Sequence, residues 1–265
     1  MQKDSVQKNV RPQVSWLLCT NRYDDLLHRA IRSCLEQSMQ DFELLLMVNG
    51  PDVERLFMLL SRDYINENRV HVVSTPVCLL NFSLSFGLHL AKAPFVARMD
   101  GDDVSHPERL ECQLAYMEAN PSVAVLGSFY NLVDENGLFH GRVDLPVSDQ
   151  DIRKSLQFRN PICHPSVMLR REVILSVGGY LGGRNAEDYD LWLRLAMTRK
   201  WKFANLHQPL LSYNVAPPGL ARRSREAYAN VASAQLRQFL VTRNTLWLIG
   251  AVVTVLKFFF RADRS

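Results

Sequence analysis

The sequence predicts an α/β protein: a mainly parallel, mixed sheet flanked by helices and followed by a helical tail that is both basic and apolar. Three observations carry that prediction. Short runs rich in Val, Leu and Phe alternate with stretches of helical period through the first hundred residues. The fourth run opens into an acid-rich loop, and the carboxyl ends of strands are where open α/β sheets bind ligands. At 265 residues, 47% hydrophobic and 22% charged, the chain has the material for one large domain with an appendage.

VSWLLC (14–19) reads as a buried strand. Asp24 and Asp25 open a helix whose Leu27, Ala30, Ile31, Cys34 and Leu35 fall at helical spacing. FELLLMV (42–48) is the second strand. Val53, Leu56, Phe57 and Leu60 then define a helix over 52–62. VHVVS (70–74) is the third strand, NFSLSFGLHLA (81–91) a helix and PFVARM (94–99) the fourth strand. This alternation implies right-handed crossovers with helices on both faces of the sheet.

Beyond the acidic loop, Pro107 suits the first turn of a helix carrying Leu110, Leu114 and Met117. SVAVLGSFY (122–130) and SVMLR (166–170) read as later strands, with a polar excursion over 131–148. GGY and LGGR (178–184) form a glycine-rich, mobile stretch that leads into Glu187-Asp188, where a helix starts and runs to about Arg199. KFANL and PLLSYNV read as two short strands. APPGLARRSR (216–225) reads as a linker, which divides the chain into a domain over 1–215 and a tail over 216–265.

Charge separates these two parts. Residues 216–265 hold eight Lys/Arg against two acids, whereas residues 1–215 hold 23 against 25. No DNA-reading helix motif accompanies the basic tail and the main body is acidic, so nucleic acid is not expected as a partner. An anionic membrane surface fits better, because the tail is also apolar. The cysteines at 19, 34, 78, 112 and 163 are odd in number and form no C-x-x-C pair, as expected of free thiols in a reducing compartment. Residues 1–13 are polar and VSWLLC is too short and too late for a signal sequence, so no leader is expected.

Asp100-Gly101-Asp102-Asp103 is the most informative string. Three carboxylates within four residues repel one another, and a divalent cation relieves that repulsion; hard oxygen ligands suit Mg²⁺ or Mn²⁺. An acidic surface turn is the plain alternative. An EF-hand loop is excluded, because its sixth position is Ser105 rather than Gly and a strand precedes it.

EDYDLWLRLAMTR (187–199) offers a second carboxylate site. Asp188 shares a helix face with Leu191, Trp192 and Leu195, while Asp190 points elsewhere. A carboxylate held at a helix start and at the edge of a buried face suits a general base, although a plain N-terminal cap accounts for the same residues. A cation on the first site neutralises charge growing on a diphosphate leaving group, and a base at the second removes a proton from an incoming hydroxyl. Together they describe single-displacement sugar transfer from a nucleotide sugar.

The motifs VSWLLCTNR, D-F-E-L-L, ARMDGDD with P-x-R-L-E-x-Q, N-P-S-V-A-V-L-G, NPICHPSVMLRR, GGY and EDYDLWLRLA resemble, in this order and over residues 12–215, the family 2 glycosyltransferases of the GT-A fold, in particular bacterial enzymes that build O-antigen and capsule repeats. The resemblance implies that Asp100 and Asp102 bind metal and nucleotide diphosphate with Asp103 beside them. It gives the base role to Asp188, with Glu187 as second claimant. Thr20, Asn21 and Arg22 fall where the family cradles the nucleotide, and Arg98 lies just before the metal loop. His164 falls in the acceptor-side segment, as a substrate contact or a structural histidine. Two positions depart from the family pattern. Asn49 stands in place of an acidic pair and can read a uracil edge through its amide. Tyr213-Asn214-Val215-Ala216 replaces Y-R-x-H, which implies either a lower metal affinity or His207 as a substitute ligand.

The resemblance therefore implies an inverting, metal-dependent hexosyltransferase. Its donor would be a UDP-sugar (Gal, Glc or GlcNAc) and its acceptor a saccharide linked to undecaprenyl diphosphate at the cytoplasmic face of a bacterial inner membrane. A catalytically silent nucleotide-sugar or glycan-binding module is one alternative. A nucleotidyltransferase is another, though CTNRYDD lacks the glycine-rich phosphate loop it needs. In the tail, TLWLIGAVVTVLKFFF (245–260) falls short of the ~20 apolar residues that span a bilayer. It reads as a peripheral anchor flanked by Arg222, Arg223, Arg225, Arg237, Arg243, Arg261 and Arg264, with a helix packed on the domain as the alternative.

Overall fold

A computed structural model describes residues 11–215 and 224–262. Strands β1 (Val14–Thr20), β2 (Phe42–Val48), β3 (Val70–Ser74) and β4 (Phe95–Asp100) alternate with helices α1 (Asp25–Leu35), α2 (Val53–Asp63) and α3 (Leu80–Leu90), as the apolar periodicity predicts. The strands lie side by side in parallel in the order β3-β2-β1-β4. Chain order reverses between β1 and β4, so their carboxyl ends, Thr20 and Asp100, open side by side at a topological switch point.

Alternate residues of each strand enter opposite cores. Trp16, Leu18, Leu44 and Leu46 pack with α1, α2 and α4 (Arg109–Ala119) on one face. Leu17, Leu45 and Met47 pack on the other with α3, α5 (Asp149–Leu156), α6 (Arg171–Ser176) and α7 (Glu187–Met197). Pro107 precedes α4 rather than entering its first turn. The sheet continues through β5 (Val104–Ser105), β6 (Val123–Val133), β8 (Met168–Arg170) and β9 (Lys202–Asn214), giving β3-β2-β1-β4-β8-β6-β9-β5, with β7 (Phe139–Val143) paired to β6. Antiparallel neighbours therefore complete an otherwise parallel sheet.

Two readings of the second half are corrected. KFANL and PLLSYNV belong to one strand, because the break at His207-Gln208-Pro209 is absorbed as a bulge: Ser128 pairs Leu206 and Phe129 pairs Pro209. The polar excursion over 131–148 contains the end of β6 and the β7 hairpin, whose turn is held by Asp134 accepting from the amides of Asn136 and Leu138. Ser148 then caps α5, its hydroxyl accepting from the Asp151 amide at 3.2 Å.

The tail forms a helical hairpin, α8 (Arg225–Thr242) and α9 (Thr245–Ala262), docked on the α7 face. Val231, Ala234 and Trp247 join the core that holds Leu191 and Trp192. Gln235 donates to the carbonyl of Gln157 and accepts from Thr254, and Arg237 pairs with Asp190 at 2.5 Å. At Gly250 the backbone presses on α5: a Cβ there would meet the Gln157 carbonyl oxygen at 2.0 Å. The opposite face stays bare, with Leu240, Val241, Ile249, Val252, Leu256 and Phe259 exposed. No helix among the described residues is long and apolar enough to cross a membrane. Residues 216–223 of the expected linker, with Arg222 and Arg223, lie outside the described residues, as does Arg264.

The five cysteines are free. Cys34 and Cys163 are buried and Cys78 is exposed, which its apolar neighbours do not suggest.

Candidate active site

The switch point holds a pocket of about 400 Å³ lined by Thr20, Asn21, Arg22, Asp100, Asp102 and Asn214, among others. The Thr20 hydroxyl accepts from the Arg22 amide at 3.1 Å, which shapes the turn after β1. Gly50, at φ +105°, lets the β2 end pass Asn21, whose Cβ lies 3.1 Å from where a glycine substituent would sit.

The ligand oxygens of Asp100, Asp102 and Asp103 lie within 4.8 Å of one another. Each carboxylate has its own surroundings. Asp100 pairs with the buried Arg98 guanidinium. Asp102 is half-exposed and stands 3.5 Å from Arg22. Asp103 is buried; its Oδ1 accepts from the Asn214 amide at 2.9 Å, while its Oδ2 lacks a partner. Burial and then the Asp100 charge push both Asp102 and Asp103 above the ordinary carboxylate range, Asp103 further. Three crowded oxygen donors, one with an orphaned buried atom, fit a hard divalent cation, which would remove that cost.

Arg98 is 3% exposed. Burial works against its charge, but Asp100 outweighs that effect and holds the guanidinium firmly protonated. Its Nε and Nη1 lack hydrogen-bond partners and the side chain lines the cleft described next, so it presents unsatisfied donors beside the acidic loop.

Asp100 and Tyr213 also line a second, larger cleft of about 750 Å³, together with Glu187, Asp188, His164 and Asn160. Asp188 lies in the first turn of α7, where the Tyr189 amide donates to its Oδ1 at 2.7 Å and Asn160 Nδ2 to its Oδ2 at 2.6 Å. Glu187 is buried; burial and then the neighbouring Asp188 charge raise its pKa. Asp190 faces away from the cleft; it pairs with Arg194 one turn along α7 at 2.7 Å and ties the helix to Arg237 of α8. His164 is buried against Tyr180, its Nε2 lying 2.9 Å from the phenol oxygen, and burial drives its pKa well below 6.5, so the ring is neutral.

The P-x-R-L-E-x-Q string acts as a brace. Arg109 is fully buried and donates to the carbonyls of Arg98, Pro165 and Val167, while Gln113 donates to those of Ser166 and Leu126. The β4 end is thereby locked to the 160–167 segment, which spaces the acidic loop from Asp188.

The structure thus brings Thr20, Asn21, Arg22, Arg98, Asp100, Asp102, Asp103, Glu187 and Asp188 to two joined clefts. It does not bring Asn49, which is buried and donates through Nδ2 to Ser83 at 2.8 Å instead of lining either one. Nor does it bring His207, which is exposed in the β9 bulge with its ring edge-on to Phe129. Nothing local in the sequence marks Asn160 as functional beyond its N-P string. Asn214 stood out only as a departure from a pattern, yet its amide meets Asp103 and its own Oδ1 is buried without a partner.

The profile of glycosyl transferase family 2 matches residues 15–178. The chain belongs to that family. Among relatives, this family 2 glycosyltransferase is 37% identical over 231 residues to the O-antigen biosynthesis glycosyltransferase WbnJ of Escherichia coli, covering 87% of this chain and 90% of that one. It is 30% identical over 252 residues to the amylovoran biosynthesis glycosyltransferase AmsE of Erwinia amylovora, covering 90% and 94%. An Escherichia coli UDP-Gal:alpha-D-GlcNAc-diphosphoundecaprenol beta-1,3-galactosyltransferase is 31% identical over 150 residues, 57% and 54% of the two chains. The GT-A architecture is shared with solved structures. Staphylococcus aureus TarS in complex with UDP-GlcNAc superposes with a TM-score of 0.66 at 16% identity, over 84% of this chain and 66% of that one. The mannosyltransferase PcManGT of Pyrobaculum calidifontis, in complex with GDP-Man and Mn²⁺, gives 0.64 at 14% identity, over 97% and 77%.

Proposed function

We propose that this family 2 enzyme is an inverting hexosyltransferase that moves Gal, Glc or GlcNAc from a UDP-sugar to a hydroxyl of a lipid-diphosphate-linked saccharide in O-antigen or other surface polysaccharide synthesis. One observation carries the reading: Asp100 lines both clefts, so a leaving diphosphate at the acidic loop and a hydroxyl at Asp188 face each other across shared space. Relatives named for O-antigen and amylovoran synthesis, and one named for a diphosphoundecaprenol acceptor, support the pathway and acceptor class. The UDP-GlcNAc and GDP-Man complexes of structural neighbours support a nucleotide-sugar donor.

In this reading Asp100, Asp102 and Asp103 hold Mn²⁺ or Mg²⁺, which when bound supplies positive charge to the departing diphosphate. Thr20, Asn21 and Arg22 cradle the nucleotide, and the unpaired N–H groups of Arg98 donate to phosphate oxygens. Asp188, oriented by Asn160 and by the Tyr189 amide, accepts the proton of the incoming hydroxyl. Glu187, its pKa raised by burial, is the weaker claimant to that role. One displacement needs no covalent intermediate on the protein, and the sugar configuration inverts.

The bare face of the α8–α9 hairpin, with Arg225 and Arg243 exposed at its rim, suits an anionic inner-membrane surface at its cytoplasmic side. Peripheral docking there would hold the acceptor cleft beside a lipid-linked substrate. The activity test offers a panel of UDP-sugars with soluble short-chain lipid-diphosphate GlcNAc or GalNAc and identifies products by mass. UDP release without a glycosylated lipid for any pair would reject the acceptor class. Docking is checked by flotation with anionic vesicles, which the Val252→Glu/Leu256→Glu variant should no longer accompany.

A further inference from the structure

The cleft that holds Asp188 is walled in part by the C-terminal hairpin. Tyr228 and Val231 of α8 and Thr254 and Lys257 of α9 line it. Lys257 is the single charge between Thr245 and Phe260. It falls three residues after the buried Thr254 and seven after Gly250, on the packed side of α9 rather than among the bare Ile249, Val252 and Leu256. A lysine meant only for lipid headgroups belongs on or beside the bare face. This one faces substrate space.

A second exposed cation, Arg159, lines the same cleft from the loop after α5. The two share one wall, because Gly250 packs directly on the carbonyl of Gln157, two residues before Arg159. Arg159 is also the chain neighbour of Asn160, which touches Asp188 at 2.6 Å. The wall therefore sets two cations in the same cleft as the Asp188 carboxylate. The third cation lining this cleft, Arg98, pairs with Asp100 through Nη2 and is assigned above to the leaving diphosphate.

We infer that Arg159 and Lys257 clamp the diphosphate attached directly to the sugar being glycosylated, so that the preferred acceptor is a sugar diphosphate rather than a neutral glycoside. This rests on the transfer reading above and names what the acceptor site recognises. Arg159 offers a planar fork to phosphate oxygens, and Lys257 a point charge that reaches either phosphate. Both bonds form before reaction and persist through it, so they act on acceptor binding and little on the rate of the bound complex.

The test compares two soluble GlcNAc acceptors, a short-chain alkyl diphosphate and an uncharged alkyl glycoside of equal length, with one active UDP-sugar. The expected result for Arg159→Gln and Lys257→Gln is a KM about 10-fold higher for the diphosphate acceptor, with kcat, the UDP-sugar KM and the KM for the neutral glycoside unchanged. Lys257→Arg should restore most of the loss. Thermal melting checks that each variant folds. In a parallel measurement, with UDP and Mn²⁺ filling the donor side, the alkyl diphosphate GlcNAc should bind wild type more tightly than either variant by calorimetry. Equal KM rises for both acceptors would mean a merely structural wall and overturn the clamp. A rise in the UDP-sugar KM would place the cations on the donor, and a loss confined to anionic-vesicle binding would place them on the membrane; either result rejects it. If wild type hydrolyses UDP-sugar but glycosylates neither acceptor, the transfer reading fails and the clamp with it. If wild type transfers to both equally well, the clamp alone fails.

Discussion

Two acidic clusters, Asp100–Asp103 and Glu187–Asp190, each hold three carboxylates within four residues, and they are put to opposite uses. In the first, the ligand oxygens converge to within 4.8 Å and one stays unsatisfied. In the second, helical geometry spreads the carboxylates around α7: Glu187 is buried, Asp188 faces the cleft, and Asp190 turns to Arg194 and Arg237. The loop concentrates charge that a cation can answer, whereas the helix distributes charge among separate partners. Residue type is the same in both; the backbone that carries it decides the chemistry.

The sharpest way to break this contrast is at the loop. Asp102→Ala should lower kcat/KM by at least about 10³-fold and weaken Mn²⁺ binding measured by calorimetry, because a leaving diphosphate loses its counter-charge. Excess EDTA should do the same to wild type, and full activity in the chelator would leave the cluster with a structural role alone.

At the helix, the three carboxylates should separate by phenotype. Asp188→Asn keeps the shape but cannot take a proton, so kcat should fall by about 10²–10⁴-fold with UDP-sugar affinity nearly unchanged. Glu187→Gln should be milder. If steady-state kinetics rank the pair the other way, the proton acceptor is Glu187.

Asp190→Asn should leave kcat close to wild type at low temperature while unfolding becomes easier by about 2 kcal/mol, since it weakens one charge-assisted bond within α7, to Arg194, and one that fastens α7 to α8, to Arg237. That corresponds to a melting temperature lower by about 4–8 °C for a chain of this size. A kinetic defect without a thermal one would place Asp190 in the reaction.

The smallest effect concerns pH. Burial raises the folded-state pKa of Glu187 above its unfolded value, so folding favours the protonated form. The stability linked to this group is fully present below the unfolded pKa and is lost as pH rises through the folded one. Glu187→Gln should therefore melt a few degrees above wild type at pH 7.5, and the gap should close toward pH 4. A gap that stays constant across that range would remove the ionisation from the account.

The first hundred residues were readable because each strand and helix there has a strong period and local caps, such as Asp24 accepting from the Leu27 amide. Later elements depend on partners far along the chain. β9 looks like two strands until β6 lies beside it, and Ser148 looks like loop until α5 follows. The acidic loop and Asp188 were legible from charge and helix geometry. Asn49 was misplaced because nothing local announces that Ser83 will accept its amide. Asn160, Asn214 and Lys257 are obscure for the same reason: each meets its neighbours only on a surface supplied by a distant segment.

The proposed donor and acceptor clefts draw on successive parts of the chain. The pocket at the switch point draws mainly on Cys19–Arg22 and Asp100–Asp102, whereas the far wall of the larger cleft comes from residues after 224. A wall added late in the polypeptide as one contiguous hairpin, seated through Val231, Ala234 and Trp247 and fastened by Gln235 and Arg237, is a part that can be exchanged together with the α7 surface it packs on. Chimaeras that graft residues 224–262 of one relative, with that α7 surface, onto the body of another should inherit their nucleotide sugar from the body and their lipid substrate from the graft, so that a small set of parents yields new linkages by recombination.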